Sequence, residues 1–189
     1  MESGKKLVLT EEWLREKAVC YVGVEEKERF VRECSVRCFD KMEIGTENGE
    51  PMPPYYKENA AIKARYMLCG LLKLYLGVED IQKEREDDPW MPSLDECDAY
   101  FSSFPLSQLE RIKRSTKDPA LRDMIYDLLS DYRALEKLLN AECYGMLPAM
   151  NDAVSRFQML MEAKTTPEAM EALRQSVEDT KRELAALKA

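Results

Sequence analysis

The sequence predicts an all-α, multi-helix protein built around one buried helix, and three observations carry that prediction. First, the stretch Glu58–Leu76, ENAAIKARYMLCGLLKLYL, is interrupted from Ala64 onward only by Arg65, Gly70 and Lys73. A helix that is apolar nearly all round belongs in a core, and this one is too short and too interrupted for a membrane span of roughly 20 apolar residues. Second, Leu121, Ile125, Leu128, Tyr132, Leu135 and Leu139 alternate spacings of four and three, the seam of a coiled coil or bundle. Third, seven Gly against eleven Met, with 34 % charged residues, is a composition suited to solvent-washed helices.

Taken in order, Thr10 has the chemistry of an N-cap, with Glu11 and Glu12 where the helix dipole favours acid. A first helix is expected through Trp13, Leu14, Ala18 and Tyr21 to Gly23. A second is expected from Glu25, with Phe30, Val31, Cys34, Cys38, Phe39 and Met42 on one face. Gly45–Pro54, GTENGEPMPP, joins Asn-Gly to three prolines and reads as a turn-rich break before Tyr55 and Tyr56 lead into the buried helix. After Gly77 the run VEDIQKEREDDPWMP is charged and closed by Pro89 and Pro92 around Trp90, so it reads as a solvated linker.

Ser93 and Glu96 form a capping box, which opens a short helix to Ser103; another is expected from Pro105 to Ser115. Asp118-Pro119 starts the seam helix, and Gly145 and Pro148 are expected to end it. Met150, Val154, Phe157 and Met161 continue the alternation in a following helix. Thr166-Pro167 caps a last one, with Met170, Leu173, Val177, Leu184 and Leu187 on its seam. The expected organisation is therefore an N-terminal helical domain over 1–78, a linker over 79–92, and a C-terminal antiparallel three-helix bundle or coiled coil over 93–189, with the alternative that all of it packs as one domain. The last two helices can equally pair with a second copy of the chain.

Charge and composition then narrow the chemistry. The net charge of −8 disfavours nucleic acid as the partner of a general binding face, which is normally basic. Leu7-Val8-Leu9 is too short for the apolar region of a signal peptide, and no membrane association is expected. The six Cys (Cys20, Cys34, Cys38, Cys69, Cys97 and Cys143) fall mostly on apolar helix faces, where a free thiol acts as a small hydrophobe. Reduced thiols and a cytoplasmic location are the expectation.

The sequence contains no histidine, which removes Ser-His-Asp and Cys-His nucleophiles, His-ligated zinc and imidazole bases. No glycine-rich phosphate cradle is present. Cys34 and Cys38 share a helical face but lack the second Cys pair of a structural zinc site. Glu25, Glu26 and Glu28, and likewise Asp95, Glu96 and Asp98, stand where helix N-terminal acids stand. No cofactor, metal site or catalytic residue is expected.

Binding remains. The expectation is a non-enzymatic accessory or inhibitory factor, of the type carried by bacterial mobile elements, acting by protein–protein contact. Its sharper form is an acidic blocker of a nucleic-acid-binding protein. The candidate partner-binding residues are the aromatics Tyr55, Tyr56 and Trp90, a residue class enriched in interface hot spots, and the acids Glu84, Glu86, Asp87 and Asp88. The alternative is a DNA-binding regulator or packaging adaptor that contacts phosphate through Arg111, Lys113, Arg114 and Lys117 in the basic segment ERIKRSTK.

Overall fold

Residues 7–42, 46, 47, 50, 51, 55–162, 171, 174–176, 178 and 179 are described by a computed structural model. They are mostly helical, with α1 at Glu11–Lys17, α2 at Val24–Ser35, α3 at Ala60–Gly70, α4 at Leu94–Ser103, α5 at Pro105–Ser115 and α6 at Pro119–Glu162. Four short strands, β1 (Phe39–Met42), β2 (Thr46–Glu47), β3 (Glu50–Pro51) and β4 (Tyr55–Glu58), form two two-stranded sheets, β1 with β4 and β2 with β3. The chain divides into two compact units, Met1–Phe39 with Glu58–Tyr144, and Asp40–Lys57 with Gly145–Ala189. That division does not follow the sequential order 1–78, 79–92, 93–189.

The buried helix anchors the first unit. Asn59 caps α3, its side-chain oxygen accepting from the N–H groups of Ala61 and Ile62. From Tyr66 to Leu72, and again at Tyr75 and Leu76, every residue is buried. A Cβ at Gly70 would stand 3.0 Å from the Phe30 ring, so a side-chain-free position lets α2 and α3 approach. Past Gly70 the helix widens into a π turn, Leu71–Tyr75, in which the Leu76 N–H donates to the Leu71 carbonyl. Gly77, at φ +63°, ends it where a Cβ would meet the Lys17 carbonyl at 3.0 Å.

The α6 seam completes the core. Leu121, Ile125, Leu128, Tyr132, Leu135, Leu139 and Cys143 are all buried. Asp131, one position off the seam, accepts hydrogen bonds from the Lys27 ammonium, the Val22 N–H at 3.1 Å and the Tyr75 hydroxyl at 3.0 Å. Burial pushes this carboxyl up, and those three donors more than offset it, holding the group below the usual carboxylate range.

Three boundaries differ from the sequence reading. The first helix ends at Lys17 rather than near Gly23, because the Val19 N–H goes to the Tyr75 carbonyl and the Val22 N–H to Asp131. The second ends at Ser35, and Phe39–Met42 is a strand; a run this short satisfies helical and strand spacing alike, and pairing with β4 decides. Gly145 and Pro148 do not end α6, which continues to Glu162. Pro148 removes one i→i−4 bond, to the carbonyl of the exposed Tyr144. The turn expected at 145–148 is therefore absent from α6, and most of the helix expected after Thr166-Pro167 lies outside the described residues.

The segment 79–92 is not wholly solvated either. Ile81, Asp88, Trp90 and Met91 are buried, and the Glu84 and Ser93 N–H groups donate to the Met91 and Gln82 carbonyls. In the second unit, β2 and β3 pair antiparallel, Thr46 with Pro51 and Glu47 with Glu50. Asn151 reads the β4 backbone there, its oxygen accepting from the Tyr56 N–H at 2.7 Å and its nitrogen donating to the Tyr56 carbonyl at 3.3 Å.

Candidate functional site

The corner between α4 and α5 begins with Pro105. Proline fixes its own φ and drives the preceding residue out of the right-handed helical region. Phe104 is not in that region: it adopts φ 43° and ψ 71°, serving at once as C-cap of α4 and N-cap of α5. It is the one non-glycine with positive φ among the described residues, a conformation that costs an L-residue about 1–2 kcal/mol. Its side chain is 62 % exposed, so core burial does not offset that strain. Gln108 pins the corner: its oxygen accepts from the Leu9 N–H, and its nitrogen donates to the Leu7 and Ser103 carbonyls, all at 2.8 Å.

Beside this corner lies an apolar groove of about 450 Å³. Met67, Leu68 and Leu71 form its floor, Tyr132 one wall, and Phe101, Phe104, Pro105 and Leu106 the other. Ala60 and Ala64 leave it open along α3, and Lys63, Glu136 and Asn140 set its polar rim. The Lys63 ammonium is held by Glu58. Leu71, in the floor, opens the π turn, a helical irregularity that recurs at functional sites.

Leu106 belongs to two surfaces. It closes the apolar groove and opens a second depression along α5, lined by Ser107, Glu110, Arg111, Arg114 and Ser115. Arg111 and Arg114 are exposed and form no salt bridge with a described residue, whereas Lys113 reaches Glu110 at 2.6 Å. The hydrogen bond from Lys113, then the nearby charges of Lys113, Arg114 and Arg133, hold the Glu110 carboxyl below its ordinary range. Arg133 arrives from α6, so the basic strip draws on two helices. Lys117 is exposed in the short connection after α5.

The acidic and aromatic candidates have other employment. Trp90 is buried, not an exposed anchor: its ring meets Phe30 edge-on at 5.0 Å, its N–H donates to Glu33 at 2.6 Å, and Lys73 lies over its face. Asp88 is buried as well. It pairs with Arg37 at 2.6 Å and accepts from the Tyr66 hydroxyl at 2.7 Å and the Trp90 N–H at 3.1 Å. Burial pushes its carboxyl up, but these donors leave it below the usual range. Glu84 pairs with Arg65, Asp87 lies 3.9 Å from Arg85, and Glu86 is exposed. The cavity of about 270 Å³ near Asp88 is thus lined by arginines that already face carboxylates. Tyr55 is exposed and Tyr56 half-buried, both on β4 of the second unit.

Among the described residues, no group of three or more Cys, Asp or Glu is placed to hold a metal ion. Cys34 and Cys38 are core residues, the Cys38 thiol donating to the Cys34 carbonyl at 3.2 Å. Burial pushes the Cys34 thiol well up and Cys69 up to about 11, so both stay protonated and weakly nucleophilic at neutral pH.

Sequence reasoning missed Phe101, Phe104 and Leu106. Their signal is FSSFPL, two aromatics at the junction of two short helices immediately before a proline. Comparison with known proteins finds no matching family model, no similar curated protein and no similar solved structure.

Proposed function

We propose that this chain is a non-enzymatic accessory or inhibitory factor that works by gripping a partner protein in the groove between α3 and the α4–α5 corner. The observation that carries the reading is Phe104, a strained, exposed aromatic beside an open apolar groove. Residues held in sparsely populated backbone regions cluster at ligand clamps and switch regions, where strain serves function rather than folding. Exposed contiguous apolar surface supports the same reading, because it marks binding sites on soluble proteins. A groove floored by Met and Leu on one helix and walled by aromatics suits the apolar face of an amphipathic helix. The alternative, DNA contact through Arg111, Lys113, Arg114 and Lys117, has the exposed arginines in its favour and the intervening Glu110 against it.

The test compares two immobilised baits, the wild-type chain and Ala64→Gln, with retained proteins identified by mass spectrometry and then titrated in purified form. Ala64 is exposed on α3 and lines the groove, so Gln fills the groove without disturbing the core. A purified partner that binds the wild type and loses at least tenfold in affinity to the variant supports the reading. Equal binding to both removes the groove from it.

A further inference from the structure

The sharing of Leu106 between the two depressions specifies the partner further. Ser107, Glu110, Arg111 and Arg114 follow Leu106 at helical spacings on one face of α5. Leu106 to Arg114 is eight residues, roughly 12 Å or two turns of helix. The surface is thus apolar at one end and basic at the other. On a chain of net charge −8 such a strip stands out.

We infer that the occupant of the groove is an amphipathic helix of a partner protein, with its apolar anchors in the groove and its acidic residues about two turns further on, over Arg111 and Arg114. The inference rests on the docking reading above and adds the partner's charge pattern. Charge complementarity favours this occupant over nucleic acid, which would meet Glu110 within the strip, an apolar floor and a repelling overall charge. It fixes the register of the partner along α5 and speeds encounter more than it adds affinity.

A phage-displayed library of helical peptides is selected on the full wild-type chain. Selected peptides are labelled and titrated by fluorescence anisotropy at low and near-physiological salt. Binders are expected to carry apolar residues at i, i+3 or i+4, and i+7, with Asp or Glu about two turns away. Arg111→Glu with Arg114→Glu weakens them about tenfold at low salt, as two exposed ion pairs allow, and less at higher salt. Ala64→Gln abolishes saturable binding; near-ultraviolet circular dichroism confirms that each variant is folded, and Ala60→Gln replaces Ala64→Gln if it is not. Peptides that need Ala64 but carry neutral or basic residues at that distance overturn the acidic partner and leave the docking reading intact. Peptides indifferent to Ala64→Gln and Ala60→Gln overturn both. Sedimentation showing a dimer that Ala64→Gln dissociates makes a second copy the occupant, and competition by a labelled 20-base-pair duplex makes it nucleic acid; either result overturns the inference.

Discussion

Replacing Phe104 by glycine separates a residue kept for binding from one kept for folding. Relief of the left-handed backbone returns about 1–2 kcal/mol. Glycine's greater freedom in the unfolded chain costs about 0.5–1 kcal/mol. Losing the covered part of the ring, roughly two-fifths of a side chain whose full burial is worth about 3 kcal/mol, costs about 1 kcal/mol. Both backbone hydrogen bonds, Phe104 N–H to the Phe101 carbonyl and Gln108 N–H to the Phe104 carbonyl, survive the change. The balance leaves stability within about 1 kcal/mol of wild type, whereas truncating a core Phe costs about 3–5 kcal/mol. Urea unfolding followed by tryptophan fluorescence measures it, since Trp13 and Trp90 both lie in the first unit. A loss of about 3 kcal/mol or more would refute the reasoning and make Phe104 an ordinary packing residue.

Asp131→Ala strands the half-buried Lys27 ammonium and orphans the Val22 N–H, and urea unfolding should show a loss of about 3 kcal/mol or more; a loss below about 1 kcal/mol contradicts the structure of that site. Asp88 and Asp131 both have folded pKa values below their unfolded ones, so their stabilisation is complete above the unfolded carboxylate value of about 4 and fades as pH falls through the lower folded values; unfolding curves between pH 7 and pH 2 check the direction, and stability rising on acidification contradicts it. Of the six thiols only Cys20 is not buried, so an aromatic disulfide reagent should titrate one thiol rapidly in the folded protein and six after denaturation; two fast thiols would place another Cys outside the core. Pro148→Ala restores one helical N–H in a helix that already continues through 148, so far-ultraviolet circular dichroism should show little change; a large gain in helicity would mean that the proline ends the helix in the wild type.

What the sequence made readable was set by local chemistry. Thr10 and Ser93 cap the helices they were expected to cap, because an N-cap is a short-range hydrogen bond. The burial of Tyr66–Leu72 and of the α6 seam followed from periodicity and apolarity alone. The strands did not, because Phe39-Asp40-Lys41-Met42 and Tyr55-Tyr56-Lys57-Glu58 carry no strand signature apart from each other. Asn48-Gly49 between β2 and β3 is a hairpin signal, read only as a break because two-residue strands give no alternation to count. Trp90 and Asp88 look like an exposed loop by composition; only the distant partners Phe30, Glu33, Arg37 and Tyr66 draw them inside. The groove is a tertiary object as well. Met67 and Phe104 are 37 positions apart, and no local pattern announces that they share a surface.

The decisive measurement is methyl NMR of the full chain, with its methionines labelled and the purified partner titrated in. Met67 lies in the groove floor, and Met159 is exposed on the part of α6 that belongs to the second unit. Docking in the groove predicts saturating shifts at Met67 that Ala64→Gln abolishes, with Met159 unmoved. Shifts at Met159 alone, with Met67 silent and Ala64→Gln binding as tightly as wild type, would contradict it and move the interface to the second unit.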